Sequence, residues 1–184
     1  MIKPFFTGVI LAGGASRRMG TDKAVLRVDG SPMLDLIRQK LTEAGAEKVV
    51  ILGRGNVQDG IADSEPGAGP VCAAVQYLEQ QPHRSKHLFV PVDMPALSPA
   101  LLTALACQDR WAYFADHNLP FLAIADGTKI APPRRLQDLL RAKDARRLTL
   151  PENCFDPFVN LNDPTDFARY VGRKPAPTDG KRMH

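Results

Sequence analysis

Between positions 11 and 23 the chain reads Leu11-Ala12-Gly13-Gly14-Ala15-Ser16-Arg17-Arg18-Met19-Gly20-Thr21-Asp22-Lys23. Two adjacent glycines carry no Cβ to hold a ligand at a distance. Their backbone N–H groups can therefore point at phosphate oxygens. Arg17, Arg18 and Lys23 add cations in the same stretch; Arg grips phosphate through parallel hydrogen bonds, Lys as a compact point charge. The spacing departs from two familiar phosphate loops. A dinucleotide fingerprint needs Gly-x-Gly-x-x-Gly running into a helix, and a P-loop needs Gly-Lys followed by Ser or Thr. Here Gly13-Gly14 is followed by five residues and Gly20, then Thr21-Asp22-Lys23. The loop is a phosphate binder of another kind, or a glycine-rich turn with solvated arginines.

A second candidate group is acidic. Asp93 follows the apolar run His87-Leu88-Phe89-Val90-Pro91-Val92, so its carboxylate falls at the carboxyl end of a strand. Pro95 fixes the turn after it. Ser98 before Pro99 already supplies a helix cap, so Asp93 is not needed for that purpose. Magnesium is bound through one or two carboxylates, with water and substrate phosphates completing its shell. Asp93 suits that role. Asp63, ahead of Pro66-Gly67-Ala68-Gly69-Pro70, is either a ligand contact or a loop carboxylate. His117 reads as a turn residue, and no His–Asp or Cys–His constellation for nucleophilic catalysis is evident.

Leu-Ala-Gly-Gly-x-Ser-x-Arg-Met-Gly-x-Asp-Lys resembles the signature loop of nucleotidylyltransferases with the nucleotide-diphospho-sugar-transferase fold. The Leu-Ala-Gly-Gly form, with Asp22-Lys23-Ala24-Val25-Leu26 behind it, most resembles the molybdenum cofactor guanylyltransferases; the related cytidylyltransferases usually read Leu-Ala-Ala-Gly. The motif order extends from Gly8 to Tyr170. The resemblance implies a Mg²⁺-dependent transfer of GMP from GTP to the terminal phosphate of molybdenum-molybdopterin, with pyrophosphate released. It implies Asp93 as the magnesium ligand, and Lys23, Arg17 and Arg18 as neutralisers of triphosphate charge. It implies backbone contacts to the nucleotide from Leu11, Ala12, Gly13 and Gly14, and a nucleotide contact from Asp63. Val159-Asn160-Leu161-Asn162-Asp163-Pro164 is similar to the family's Asn-x-Asn-Thr-Pro segment, which implies that Asn160 and Asn162 lie near metal and acceptor; Asn162 would serve equally as a helix cap. The segment from His117 to Ala123 is similar to the one that leads into an acceptor-facing strand. Because the acceptor is already a phosphate anion, no strong general base is required.

One departure concerns the base. The family often carries an Asn after its second strand, contacting guanine, where this chain has Leu52-Gly53-Arg54. A cytidylyltransferase acting on a pterin or sugar-like phosphate is therefore one alternative, and a non-catalytic cofactor carrier another. Transient contact with molybdoenzymes or their chaperones is implied, without a nucleic acid or a membrane as partner.

These residues need a scaffold. Thr7–Leu11, Lys48–Leu52 and His87–Val92 are continuous apolar runs, as expected of strands covered on both faces. Between them, helical periodicity is expected from Ser31 as cap and Pro32 as first residue to Gly45, from Pro70, and from Ser98-Pro99. Alternating strands and helices predict a single-domain α/β fold: a Rossmann-like, mostly parallel sheet with helices on both faces. Ala112–Ala115 and Phe121–Ile124 predict an antiparallel excursion. A helix is expected from Arg134 to Ala142 and a last one from Pro164, capped by Asp163. Residues 1–171 form the expected domain and 172–184 a polar, disordered tail. Residues 129–151 match no motif.

The chain has 184 residues, enough to bury a core. A net charge of +4 suits an anionic small substrate. Basic residues cluster at Arg134, Arg135, Arg141, Lys143, Arg146 and Arg147, but they are not interleaved with aromatics, which argues against a nucleic-acid binder. No apolar run is long enough to span a bilayer, and the N-terminus leads straight into a strand, so a cytoplasmic protein without signal peptide is expected. Cys72, Cys107 and Cys154 are expected as buried thiols in a reducing compartment.

Overall fold

The computed structural model describes residues 4–13, 23–63, 65, 69–130, 133–150, 157–161 and 163–173. Three apolar strands, β1 (Thr7–Leu11), β4 (Lys48–Leu52) and β6 (Lys86–Pro91), form its centre. Both β4 and β6 pair in parallel with β1, and Leu11 stands opposite Leu52 and Pro91. The sheet has seven strands in the order β5-β4-β1-β6-β8-β7-β9. Its further members are β5 (Gly60–Ile61), β7 (Ala112–Phe114), β8 (Phe121–Ile124) and β9 (Arg146–Leu148). Only β8 runs against the others, inserted between β6 and β7. The mostly parallel α/β sheet expected from the sequence is thus the one observed.

Alternate residues of each strand feed two apolar layers. Ile10, Ile51 and Leu88 pack with Met33, Ile37 and Leu41 of α1 (Met33–Glu43) and with Leu101, Leu102 and Leu105 of α3 (Pro99–Ala106). Val9, Val50 and Phe89 face the other way, onto Ala74, Val75 and Leu78 of α2 (Pro70–Glu79) and Leu139 and Leu140 of α4 (Leu136–Ala142). Burial on both faces explains why these strands lack polar alternation.

Several expectations need correction. Ser31 and Pro32 do not open a helix. They form β3, which pairs antiparallel with β2 (Arg27–Val28). The Asp29-Gly30 loop between them has positive φ at both residues, 53° and 80°, as a two-residue hairpin turn of this hand requires. α1 then begins at Met33 without a side-chain cap. Lys23–Val25 form a 3₁₀ turn before β2. α5 (Pro164–Arg173) continues past residue 171, and residues 174–184 lie outside the described residues. Cys72 is buried as expected, but Cys107 is exposed at the end of α3, and Cys154 lies outside the described residues.

Candidate active site at the carboxyl edge of the sheet

The register of β1 and β6 decides where the candidate residues meet. Because Leu11 stands opposite Pro91, Gly13 and Asp93 each lie two residues beyond the paired strand ends, on adjacent strands. Adjacent strands are about 4.8 Å apart. The ladder continues through Val92 N–H to the Leu11 carbonyl (3.1 Å) and Ala12 N–H to the Leu52 carbonyl (3.0 Å). Leu11 and Ala12 thus spend these backbone groups on the sheet, and Gly13 is the first exposed backbone beyond it. This edge is where open parallel sheets bind ligands.

Lys23 closes the site from the side. Its Nζ donates to Asp93 Oδ2 at 2.8 Å, and the two side chains are 17% and 19% exposed. The contact joins groups seventy positions apart. Ala24, buried beside Lys23, and the Leu26 N–H donating to the Lys23 carbonyl (3.3 Å) anchor the turn. Asp93 does not cap α3. Ser98 does, its Oγ accepting from Leu101 N–H at 3.4 Å.

Two further chain segments converge here. Asp63 reaches the glycine turn: a Cβ added to Gly13 would stand 2.8 Å from Asp63 Oδ2. On the other flank, Leu161 N–H donates to the Asp93 carbonyl at 2.9 Å, which brings exposed Asn160 next to Asp93 in the chain path. Asp163 accepts from the N–H groups of Thr165 (2.8 Å) and Asp166 (2.9 Å) and so caps α5, as expected. His117 donates its backbone N–H to the Phe114 carbonyl and stacks its ring on Phe158 at 3.8 Å. It is a turn residue with an aromatic partner. Gly14, Arg17, Arg18 and Asn162 lie outside the described residues.

Two participants carry little signal in the sequence. Lys40 on α1 donates to the carbonyls of Pro95 and Leu97, both at 2.7 Å, and so pins the turn that follows Asp93. In the sequence it is one more polar residue of an amphipathic helix. Gly53, in the place of the family's base-contacting Asn, meets Gly13 backbone to backbone at a φ of 89°. A glycine ending a strand was visible; that it must be glycine to admit Gly13 was not.

Burial, with the nearby carboxylates of Glu65 and Asp63, pushes the Cys72 thiol up from its ordinary value. Cys72 is therefore protonated at neutral pH, and thiolate chemistry is disfavoured. Among the described residues no three His, Cys, Asp or Glu side chains gather as a metal-binding group. The partly buried Asp93 carboxylate is a hard oxygen donor of the kind that suits a cation which keeps waters and takes phosphate oxygens. Nor, among the described residues, is any helix long and apolar enough to cross a membrane.

Residues 8–151 match the family model of the MobA-like NTP transferase domain. A molybdenum cofactor guanylyltransferase of Xanthomonas euvesicatoria is 35% identical, covering 92% of this chain and 96% of its own. Among solved structures, molybdopterin-guanine dinucleotide biosynthesis protein A of Archaeoglobus fulgidus superposes with a TM-score of 0.69 at 18% identity, covering 91% of this chain and 97% of its own. Rv0371C of Mycobacterium tuberculosis, in complex with manganese, superposes with a TM-score of 0.65 at 16% identity, covering 93% of this chain and all of its own. At these identities the structures speak for the fold alone. The family match and the curated relative together show that the chain is a nucleotidyltransferase and belongs to the molybdenum cofactor guanylyltransferases of the MobA-like NTP transferase family.

Proposed function

We propose that this chain transfers GMP from GTP, with Mg²⁺, to the terminal phosphate of molybdenum-molybdopterin. An oxygen of the acceptor phosphate attacks the α-phosphorus of GTP. A new P–O–P bond forms, the bond from the α-phosphorus to the α,β-bridging oxygen breaks, and pyrophosphate leaves with the electron pair. The observation that carries this reading is the meeting of Lys23 and Asp93 beside the exposed backbone of Gly13. In-line phosphoryl chemistry asks the protein mainly for position and charge, and these groups supply both.

Asp93 holds the metal, with Asn160 at the flank and Asn162 as an additional amide. Bound magnesium supplies charge neutralisation at the phosphate oxygens. Lys23, joined by Arg17 and Arg18 from the glycine loop, offsets the triphosphate charge and the charge that builds on departing pyrophosphate. Gly13 and Gly14 offer backbone N–H groups to the phosphates. Leu11 and Ala12 bring the strand end up to the nucleoside, and Asp63 adds a nucleotide contact at the glycine turn. The product passes to molybdoenzymes or their chaperones by transient contact.

The test is to incubate the protein with Mg²⁺, the molybdenum-loaded pterin and either GTP or CTP, and to follow pyrophosphate and dinucleotide. Pyrophosphate with GTP in excess of CTP is expected. Faster turnover of CTP would assign a cytidylyltransferase, and no release with either nucleotide would favour a carrier.

A further inference from the structure

The net charge of this chain is concentrated in one short segment outside the Asp93 site. Six of the 24 basic residues and two of the 20 acidic ones fall between positions 134 and 147, an excess of four that equals the +4 of the whole chain. The rest of the sequence is therefore balanced. The segment contains α4 and the edge strand β9. We propose that this face is a docking surface for an acidic protein, one that presents clustered Asp and Glu carboxylates to it. The surface does not depend on what Asp93 binds.

The fold uses only part of this charge. Lys143 is anchored: its Nζ donates to Asp126 Oδ2 at 2.7 Å and lies 5.7 Å from the centre of the Trp111 ring. Arg146 donates to the neutral Gln108 Oε1 at 3.1 Å, which leaves its charge uncompensated. Arg147 meets Asp116 at 3.6 Å between side chains 63% and 87% exposed, a loose and solvated contact of little worth. Arg134, Arg135 and Arg141 are exposed and make no ion pair among the described residues. Nor does packing need them, because Leu139 and Leu140 hold α4 to the sheet.

Shape and spread select the partner. A cleft of about 550 Å³ is bordered by Gln137 and Arg141 from α4 and by Tyr113 and Arg147 from the strands. The cations begin before α4, follow its length of about 10 Å and continue onto β9, further than one small anion reaches. Asp116, Asp138 and Asp144 are interspersed among them. Those carboxylates repel a phosphodiester strand, whereas a protein face of both signs with acid in excess can pair with each charge. Arginine supplies five of the six cations, and it is the basic side chain enriched at protein interfaces. β6 and β7 both run against β8, so the Asp116–Asn118 end of β7 shares the carboxyl edge with Asp93. A partner on this face reaches the same edge as the candidate active site.

Fluorescence polarisation of a fluorescein-labelled peptide of alternating Glu and Gly, titrated with the full chain at low salt, tests this. Wild type is expected to bind the peptide, less tightly as salt rises. The pair Arg135→Glu and Arg141→Glu is expected to weaken binding by about tenfold, as reversal of two exposed charge contacts implies. Lys48→Glu with Arg169→Glu changes the net charge equally at exposed sites elsewhere and is expected to bind as wild type does. If the charge reversals unfold the chain, Arg135→Gln with Arg141→Gln is expected to give a smaller loss in the same direction. No peptide binding by wild type, or equal losses in the two Glu pairs, would overturn the surface. Tighter binding of a single-stranded oligonucleotide of the same formal charge, lost in the Arg135 and Arg141 pair, would overturn the acidic protein in favour of a nucleic acid.

Discussion

Gly53 lies against Gly13 so closely that a Cβ built on it would come within 3.0 Å of both the nitrogen and the Cα of Gly13. The loops leaving β1 and β4 therefore cross with no side chain between them. Gly53 also has a φ of 89°, a conformation that side-chain-bearing residues resist. The atoms in the way are backbone and cannot rotate aside. Gly53→Ala is expected to cost roughly 2–4 kcal/mol of stability and to weaken GTP binding through the displaced glycine turn. Urea unfolding and a GTP titration check this. A variant with wild-type stability would mean that the two loops separate easily.

Lys40 acts at one remove from the chemistry. Its ammonium holds the carbonyls of Pro95 and Leu97, on the turn that orients Asp93. Lys40→Met gives up two charge-assisted hydrogen bonds, each worth about 1.5–3 kcal/mol. Turnover is expected to fall more than GTP affinity, with a higher Mg²⁺ concentration needed for half-maximal rate. Steady-state kinetics over a Mg²⁺ series read this. A variant that loses stability but keeps its Mg²⁺ dependence would confine Lys40 to a structural role.

The parts of this molecule written in apolar runs were open to reading. β1 and β4 fall at the residues expected, because burial on both faces demands uninterrupted Val, Ile and Leu. β5, at Gly60–Ile61, and β9, at Arg146–Leu148, are short edge strands held by backbone pairing, and they leave no apolar pattern. Ser31-Pro32 and Ser98-Pro99 show the limit of local rules. The same dipeptide opens α3 in one place and pairs as β3 in the other, where the Asp29-Gly30 turn folds it back on Arg27 and Val28. The candidate site was legible as loops at strand ends. That Lys23 reaches Asp93 follows from strand order and register, which no local pattern encodes.

Away from the site, at the opposite end of β6, His87 is 2% exposed. Its Nδ1 lies 3.2 Å from the Tyr77 hydroxyl and its Nε2 2.7 Å from Ser85 Oγ. Ser85 in turn donates to the Pro82 carbonyl, so the neutral Nε2–H ring completes the chain. Burial lowers the His87 pKa from 6.5 to about 4. The unfolded chain therefore takes up the proton first. Stability is fully present above pH 6.5 and is lost as pH falls toward 4. About 2 kcal/mol should go between pH 7 and pH 5 from this group. Denaturant midpoints at the two pH values measure the loss, and His87→Gln should flatten it. The same slope in that variant would assign the acid sensitivity elsewhere.

Asp93, Lys23 and the Gly13 turn are held here to form one polyphosphate–metal site. The most direct measurement is the calorimetric affinity for GTP with and without Mg²⁺ in wild type and Asp93→Asn, with folding checked by thermal melting. Mg²⁺ should tighten GTP binding in wild type, and that gain should vanish in Asp93→Asn while metal-free binding persists. A folded Asp93→Asn that keeps the whole Mg²⁺-dependent gain would contradict the account.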